Sequence, residues 1–232
     1  GSALESSFAP ERWWGAEAKF VATRWRGHHA VLGLEYQRNT RQDQTNADAD
    51  PITNCFATGS AGPCLESRAH GNRAGLYAQD DIELRDNLKL SAGARYDRFY
   101  LGNDNISPRL GLIYRPWNEA VLKLLYGSAY RPANAYQLYY AFPGNAPQVG
   151  NTTLKPESIR TAEIAWEQYV GAKTRLLAGA YFYAIKDWIV QITTPTGELQ
   201  FENQPPVKGE GLEFEVEHHF AGGAQLRASL AV

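Results

Sequence analysis

The sequence predicts an all-β protein, specifically a transmembrane antiparallel up-and-down β-barrel of which about ten strands are present. Three observations predict it. Apolar and polar residues alternate with period two in segment after segment, and many segments reach the roughly 9 to 11 residues that a tilted strand needs to cross a bilayer. Tight and long connections also alternate, as they do in outer-membrane barrels. A soluble sheet with one face on a core and one in solvent has the same alternation. Length separates the two, because ordinary strands are nearer about five or six residues.

Taken in order, Ala16, Ala18 and Phe20 oppose Glu17 and Lys19, and Leu32, Leu34 and Tyr36 oppose Glu35 and Gln37. "LKLSAGARYDR" is the cleanest segment, with Leu88, Leu90, Ala92, Ala94 and Tyr96 on one side and Lys89, Ser91, Arg95 and Asp97 on the other. Leu110, Leu112 and Tyr114 oppose Arg109 and Arg115, and Leu122, Leu124 and Tyr126 oppose Lys123 and Arg131. In "NTTLKPESIRTAEIAWEQ", Ala162, Ile164 and Trp166 are expected to face lipid, and Thr161, Glu163 and Glu167 the lumen. Pro156 has no N–H to give a ladder and belongs at that strand's start. "GLEFEVEHHF" sets Leu212, Phe214, Val216 and Phe220 against Glu213, Glu215, Glu217 and His219, and "AQLRASLAV" sets Leu226, Ala228 and Leu230 against Gln225, Arg227 and Ser229. "GLYAQDDIEL" and "TRLLAGAYFYAIKDWIVQI" read as strands whose faces the pattern does not assign.

Tight connections fall at "WRGH", "LRDN", "RPWNE", "VGAK" and "FAGG", long ones at residues 39–70 and 132–156, and intermediate ones near 101–106 and 193–207. Rings near strand ends, namely Trp13, Trp14, Tyr36, Tyr96, Tyr100, Tyr114, Trp117, Tyr130 and Tyr169, suit two interfacial girdles.

Composition narrows the class further. A hydrophobic content of 44% suits a folded chain, and 23 basic residues against 25 acidic ones give a net charge of -2, with no basic field to draw nucleic acid. No apolar run approaches about 18 residues, so no transmembrane helix is present. The opening "GSALESSFAPERWWG" lacks the layout of a signal peptide. Thirteen tyrosines and six tryptophans against no methionine favour rings at interfaces over an adaptable Met-filled core. Cys55 and Cys64, in "NCFATGSAGPCLES", read as a disulfide-closed loop in an oxidising compartment.

Several strings then resemble the TonB-dependent outer-membrane receptor family. "GLYAQDDIELRDNLKLSAGARYD" is similar to its barrel repeat, and "SPRLGLIYRP", "LKLLYGSAYRPANAYQLYY", "GNTTLKPESIRTAEIAWEQ" and "VKGEGLEFEVE" match later landmarks in the same order. The resemblance implies a 22-stranded barrel plugged by an N-terminal domain. It also implies a bacterial outer-membrane location and active import of a scarce ligand, energised by TonB, ExbB and ExbD. No plug and no TonB-box-like segment precede Trp13, and Val232 ends in mid-strand. Residues 1–232 are therefore expected to be part of a receptor barrel, a monomer set in outer-membrane lipid, with plug and C-terminal strands absent. A ferric siderophore is the leading ligand, with cobalamin, haem or oligosaccharide as alternatives; a passive porin-like barrel and a soluble all-β binding module are the competing classes.

No catalytic group stands out, no cofactor is implied and no enzyme is expected. His28, His29, His70, His218 and His219 are scattered, and adjacent histidines on a strand point to opposite faces. Glu213, Glu215 and Glu217 read as a hydrated lumen face paired with arginines on neighbouring strands. Asp43, Asp48 and Asp50 offer oxygen ligands without EF-hand spacing, which leaves a solvated acidic loop. The ligand-contact candidates are Tyr136, Tyr139, Tyr140 and Phe142 in "RPANAYQLYYAFPGNAPQVG", rings suited to stacking on a catecholate, corrin, sugar or haem. Packing within the loop or membership of the outer girdle are the other readings of these rings.

Overall fold

The computed structural model describes residues 5–48, 65–99, 104–141 and 147–232; Asp50, Cys55, Cys64, Tyr100 and Phe142 lie outside the described residues. The alternating segments become strands of one antiparallel sheet. β1 (Glu5–Phe8) and β2 (Glu11–Ala22) both pair with β3 (His28–Asp48). Phe8 faces Thr45 and Glu11 faces Gln42, so β1 and β2 occupy one position, interrupted at Pro10, which has no N–H to donate.

β4 (Leu65–Arg85), β5 (Leu88–Phe99), β6 (Asp104–Tyr114) and β7 (Ala120–Arg131) follow, each beside its predecessor. The chain then leaves the wall for α1 (Ala135–Tyr139) and β8 (Gln148–Val149) and returns as β9 (Glu157–Val170) and β10 (Thr174–Lys186). It leaves again for β11 (Ile189–Thr193) and β12 (Leu199–Asn203), and returns as β13 (Val207–His219) and β14 (Gln225–Ala231). The eleven strands of the large sheet therefore run up and down in sequence order, while β11, β12 and β8 form a separate small sheet.

Tight turns join β2 to β3, β4 to β5, β6 to β7, β9 to β10 and β13 to β14, all at one end of the strands. In "VGAK", Gly171 takes φ +62°, a conformation a side chain would strain. Two expected boundaries shift. The connection expected at 39–70 is strand over 39–48 and 65–70, because β3 and β4 extend to 21 residues each, roughly 70 Å at about 3.3 Å per residue. Their outer halves are polar on both faces, so alternation does not reveal them, but the antiparallel ladder still satisfies the backbone. "TRLLAGAYFYAIKDWIVQI" is not one strand: β10 ends at Lys186, and Asp187, at φ +53°, turns the chain out of the wall.

The wall is inside out relative to a soluble protein. Phe20, Leu34, Leu110, Phe182, Phe214 and Leu230 are all exposed on its outward face. The opposite face carries Glu35, Arg73, Arg95 and Asp97, of which Asp97 is only 4% exposed. A soluble sheet buries the first set, whereas a barrel in lipid presents it. The register also assigns the faces of β10 that the sequence left open: Leu176, Ala178, Ala180 and Phe182 sit opposite Val216, Phe214, Leu212 and Glu210 on the outward side, and Tyr181 and Tyr183 look inward.

Aromatic rings mark both ends of the outward band. Trp14 contacts Tyr36 at 5.4 Å near the long-loop end, and Trp117 meets Trp166 at 5.5 Å near the turns. Three of the expected girdle residues among those described lie elsewhere, and the first, Tyr169, stands directly opposite Arg175 in the inward row. Trp13 follows a register shift and shares a face with Gly15. Tyr130 packs on Phe99 at 5.4 Å, in the opening where the β6–β7 ladder stops at Arg109 and Gly127, beside Pro108.

Candidate ligand site at the long-loop end

The segment between β7 and β9 builds a ledge over the wall. Asn134 starts α1 with a capping box: its side chain accepts from the Gln137 backbone N–H at 2.9 Å, and the Gln137 side chain accepts from the Asn134 backbone N–H at 3.1 Å. Leu138, Leu154 and Ile189, from three separate stretches, close a small apolar core against Ala133, Tyr139 and Phe201.

The Leu154-Lys155-Pro156-Glu157 stretch anchors this ledge residue by residue. Leu154 fills the core. The Asn203 side-chain oxygen accepts the Lys155 N–H at 2.8 Å, and its amide donates to the Lys155 carbonyl at 2.9 Å and the Asp187 carbonyl at 2.6 Å. Glu157 accepts from Arg131 Nε at 2.6 Å and from the Ile189 backbone N–H at 2.6 Å, which ties the ends of β7, β9 and β11 together. The outward residues of β9 here are Ser158 and Arg160, so Glu157 stands above the apolar band that begins at Ala162. Arg131 holds the Glu157 carboxyl below its ordinary range, against a smaller opposing effect of burial, and the Ile189 N–H helps.

The three described candidate rings separate. Tyr136 is exposed, meets Tyr140 at 4.5 Å with the rings tilted by 31°, meets Phe201 at 5.7 Å and donates its hydroxyl to Gln148 at 3.1 Å. Tyr139 packs against the apolar core beneath the helix. Phe142 lies outside the described residues. Tyr140, the C-cap, has left helical geometry, with extended backbone at φ -68° and ψ 125°. Phe201, 65 positions further along than Tyr136, was not legible as its partner.

Two cavities descend from the ledge. The upper, about 390 Å³, lies between Tyr139, Leu154 and Arg131 on one side and His70, Arg73 and Phe99 on the other. The lower, about 580 Å³, is bounded by residues from β2 to β7, which requires the sheet to curl around it. Arg73 and Phe99 line both, so the two adjoin. Glu35 bridges Arg73 at 2.5 Å and Arg95 at 2.6 Å, and Arg95 also grips Asp97 at 2.7 Å. Arg109, on the same wall, has no carboxylate partner among the described residues.

Glycines make room for these groups. Tyr77 crosses Gly33 to donate to Glu17 at 2.6 Å, and a Cβ at Gly33 would overlap the tyrosine ring. Gly209 and Gly211 admit Tyr183 and Tyr181 in the same way. The alternating glycines of "GEGLEFE" were the sequence signal for this packing, although they cannot identify the rings that cover them.

Lower on the wall, Arg175 reaches Glu215 at 3.0 Å, Glu217 at 3.5 Å and Glu167 at 3.6 Å, while Arg227 takes Glu215 at 2.6 Å. Glu215 and Glu217 thus have the arginine pairing expected for the glutamate row, whereas Glu213 has no arginine partner among the described residues. His28 binds Asp80 at 2.6 Å, His219 binds Glu217 at 2.9 Å, and Arg41 holds Asp43 at 2.6 Å. No group of three metal-ligating side chains occurs among the described residues.

A family profile described as "TonB dependent receptor-like, beta-barrel" matches residues 3–231. The chain belongs to the TonB-dependent receptor family. Among curated relatives, the Ferrienterobactin receptor of Escherichia coli (strain K12) is 28% identical over 211 residues, 79% of this chain and 27% of the relative. The Ferric enterobactin receptor of Pseudomonas aeruginosa is 30% identical over 108 residues, 47% of this chain and 14% of the relative. The chain thus spans well under half of the receptors it matches. Among solved structures, a variant of the P. aeruginosa ferric enterobactin receptor in complex with enterobactin superimposes with a TM-score of 0.73 at 23% identity, covering 96% of this chain and 36% of that one. A copper transporter, OprC, gives 0.72 at 17% identity over 98% and 37%. These likenesses show a shared TonB-dependent receptor fold.

Proposed function

We propose that this chain forms part of the barrel of an outer-membrane receptor that imports a scarce ligand by TonB-dependent transport, and that the ligand is a ferric siderophore. In this reading residues 1–232 belong to the barrel domain of a longer monomeric receptor, whose plug links it to TonB, ExbB and ExbD. The observation that carries the reading is the arginine-bearing cavity wall beneath a ledge whose Tyr139 lines the upper cavity and whose helix also carries the ring pair of Tyr136 and Tyr140. A ferric catecholate combines flat aromatic rings with net negative charge. Rings stack on the tyrosines, and the charge is drawn toward Arg109, which has no carboxylate partner among the described residues. The enterobactin receptors among the relatives support the siderophore class.

The test is uptake by cells with and without the full-length gene, supplied in turn with ferric siderophore, cobalamin, haem and oligosaccharide. Deletion is expected to abolish uptake of one ferric siderophore, and Tyr136→Ala with Tyr140→Ala to reduce it about tenfold or more, as for loss of two stacking contacts. Loss of cobalamin, haem or oligosaccharide uptake alone would overturn the siderophore reading.

A further inference from the structure

Most of the charge in the wall is turned inward and paired, but one group of cations is neither. Arg160 of β9 and Lys208 of β13 both sit directly opposite Ala184 of β10, and Lys186 lies two residues further along β10, opposite Ser158. The register fixes their face. In the adjoining row Tyr183 covers Gly209 on the inward side, so the row of Arg160, Ala184 and Lys208 faces outward. All three cations are exposed, and none has a carboxylate partner among the described residues. Strand spacing of about 4.8 Å puts the Cα atoms of Arg160 and Lys208 about 10 Å apart, with only the small Ala184 between them. By contrast Arg98, at the long-loop end of β5, is answered by Asp104 at 3.8 Å.

The neighbouring rows show what these cations stand over. Moving toward the turns, the outward rows are Ala162, Phe182 and Glu210, then Ile164, Ala180 and Leu212. Glu210 is the one carboxylate on this face in those rows and is not within ion-pair reach of Lys208, so the patch stays net positive. Cations directly above an exposed apolar surface, at the long-loop end, match a molecule with anionic groups at the top and hydrocarbon beneath.

We propose that Arg160, Lys186 and Lys208 form a binding site for a phosphorylated lipid of the outer leaflet, its phosphate on the cations and its acyl chains along Ala162, Ile164, Phe182 and Leu212. The site rests on the membrane-barrel reading above but is separate from the ligand path, because it lies on the opposite face of the wall. Phosphate is the chemistry recognised, and the apolar surface below commits the site to a lipid rather than a free anion.

The test uses the full-length receptor in phosphatidylcholine nanodiscs, titrated with bis-phosphorylated lipid A and read by native mass spectrometry. The wild type is expected to retain the lipid and to retain its dephosphorylated counterpart far less. Replacing one cation with serine should weaken binding about fivefold, and all three together on the order of 100-fold, with weakening by salt. Arg160→Lys should keep binding, since charge and not fork geometry is at issue, and siderophore uptake per folded receptor should be unchanged in the triple variant. Unaltered lipid binding by a folded triple variant, or equal competition by inorganic phosphate, would overturn the site. Recovery of the full-length wild type in the soluble fraction without detergent would instead overturn the membrane reading beneath it.

Discussion

In the wall, Phe182, Phe214 and Leu230 stand exposed on the outward face, whereas in the ledge Leu138, Leu154 and Ile189 are closed off from solvent. The two regions share a chain and are held together by different means. Ladder hydrogen bonds running from β1 and β2 to β14 hold the wall, and its apolar surface is left for lipid to cover. The ledge has a short helix and a three-strand sheet, so it depends on a core of a few side chains and on side chains that bind backbone, chiefly Asn203 and Glu157. A wall built this way tolerates change on either face as long as polarity is kept. A ledge built this way depends on single residues.

The largest effect expected from that contrast is in the ledge. Leu154→Ala removes the central member of a core with few others to compensate, at a cost of about 2 to 5 kcal/mol. Hydrogen exchange of residues 135–139 and 189–203 should speed up markedly while β9 and β10 stay protected. Uniform loss of protection across the wall would mean that the ledge and wall fold as one unit. The matching change in the wall reverses polarity without altering packing. Ile164→Arg puts a cation in the outward apolar band, at about 2 to 4 kcal/mol if the band lies at the membrane midplane. The fraction of folded receptor recovered in the outer membrane should fall, and Glu163→Gln, one residue away on the inward face, should leave it unchanged. Equal tolerance of the two substitutions would contradict the assignment of faces.

The same contrast explains what could be read from sequence. Alternation is written residue by residue, so Leu88 to Asp97 disclosed their strand and both its faces, and the glutamates of β13 disclosed their need for arginines. The ledge is held by contacts between distant positions, such as Lys155 with Asn203, 48 residues apart. Nothing local in "LKPE" states that Leu154 fills a core or that Glu157 caps Ile189, and only the strand start at Pro156 was visible. For the same reason the described rings of that loop, Tyr136, Tyr139 and Tyr140, could not be assigned their separate contacts. That assignment depends on Phe201 and Leu154, which pack on α1 from other segments. The outer halves of β3 and β4 were hidden for the converse reason: water bathes both faces, so no pattern is imposed on them.

The smallest expected effect sharpens the comparison through pH. The Glu157 carboxyl is held below the ordinary glutamate value of 4.5, chiefly by the hydrogen bond from Arg131. Because the folded-state value is the lower one, the stabilisation is fully present above pH 4.5 and is lost as the pH falls through the folded value. Protonation leaves Arg131 without its carboxylate partner and weakens acceptance of the Ile189 N–H, so the β11–β12 hairpin should loosen before the wall does. Comparing hydrogen exchange of wild type and Glu157→Gln from about pH 6 to about pH 3 cancels the intrinsic pH dependence of exchange itself. The two should differ at the upper end, with the wild type the better protected over residues 189–203, and converge at the lower end. A constant difference across that range would mean that the carboxylate's charge does not hold the ledge to the wall, leaving the Asn203 contacts and the Leu154 core to do so.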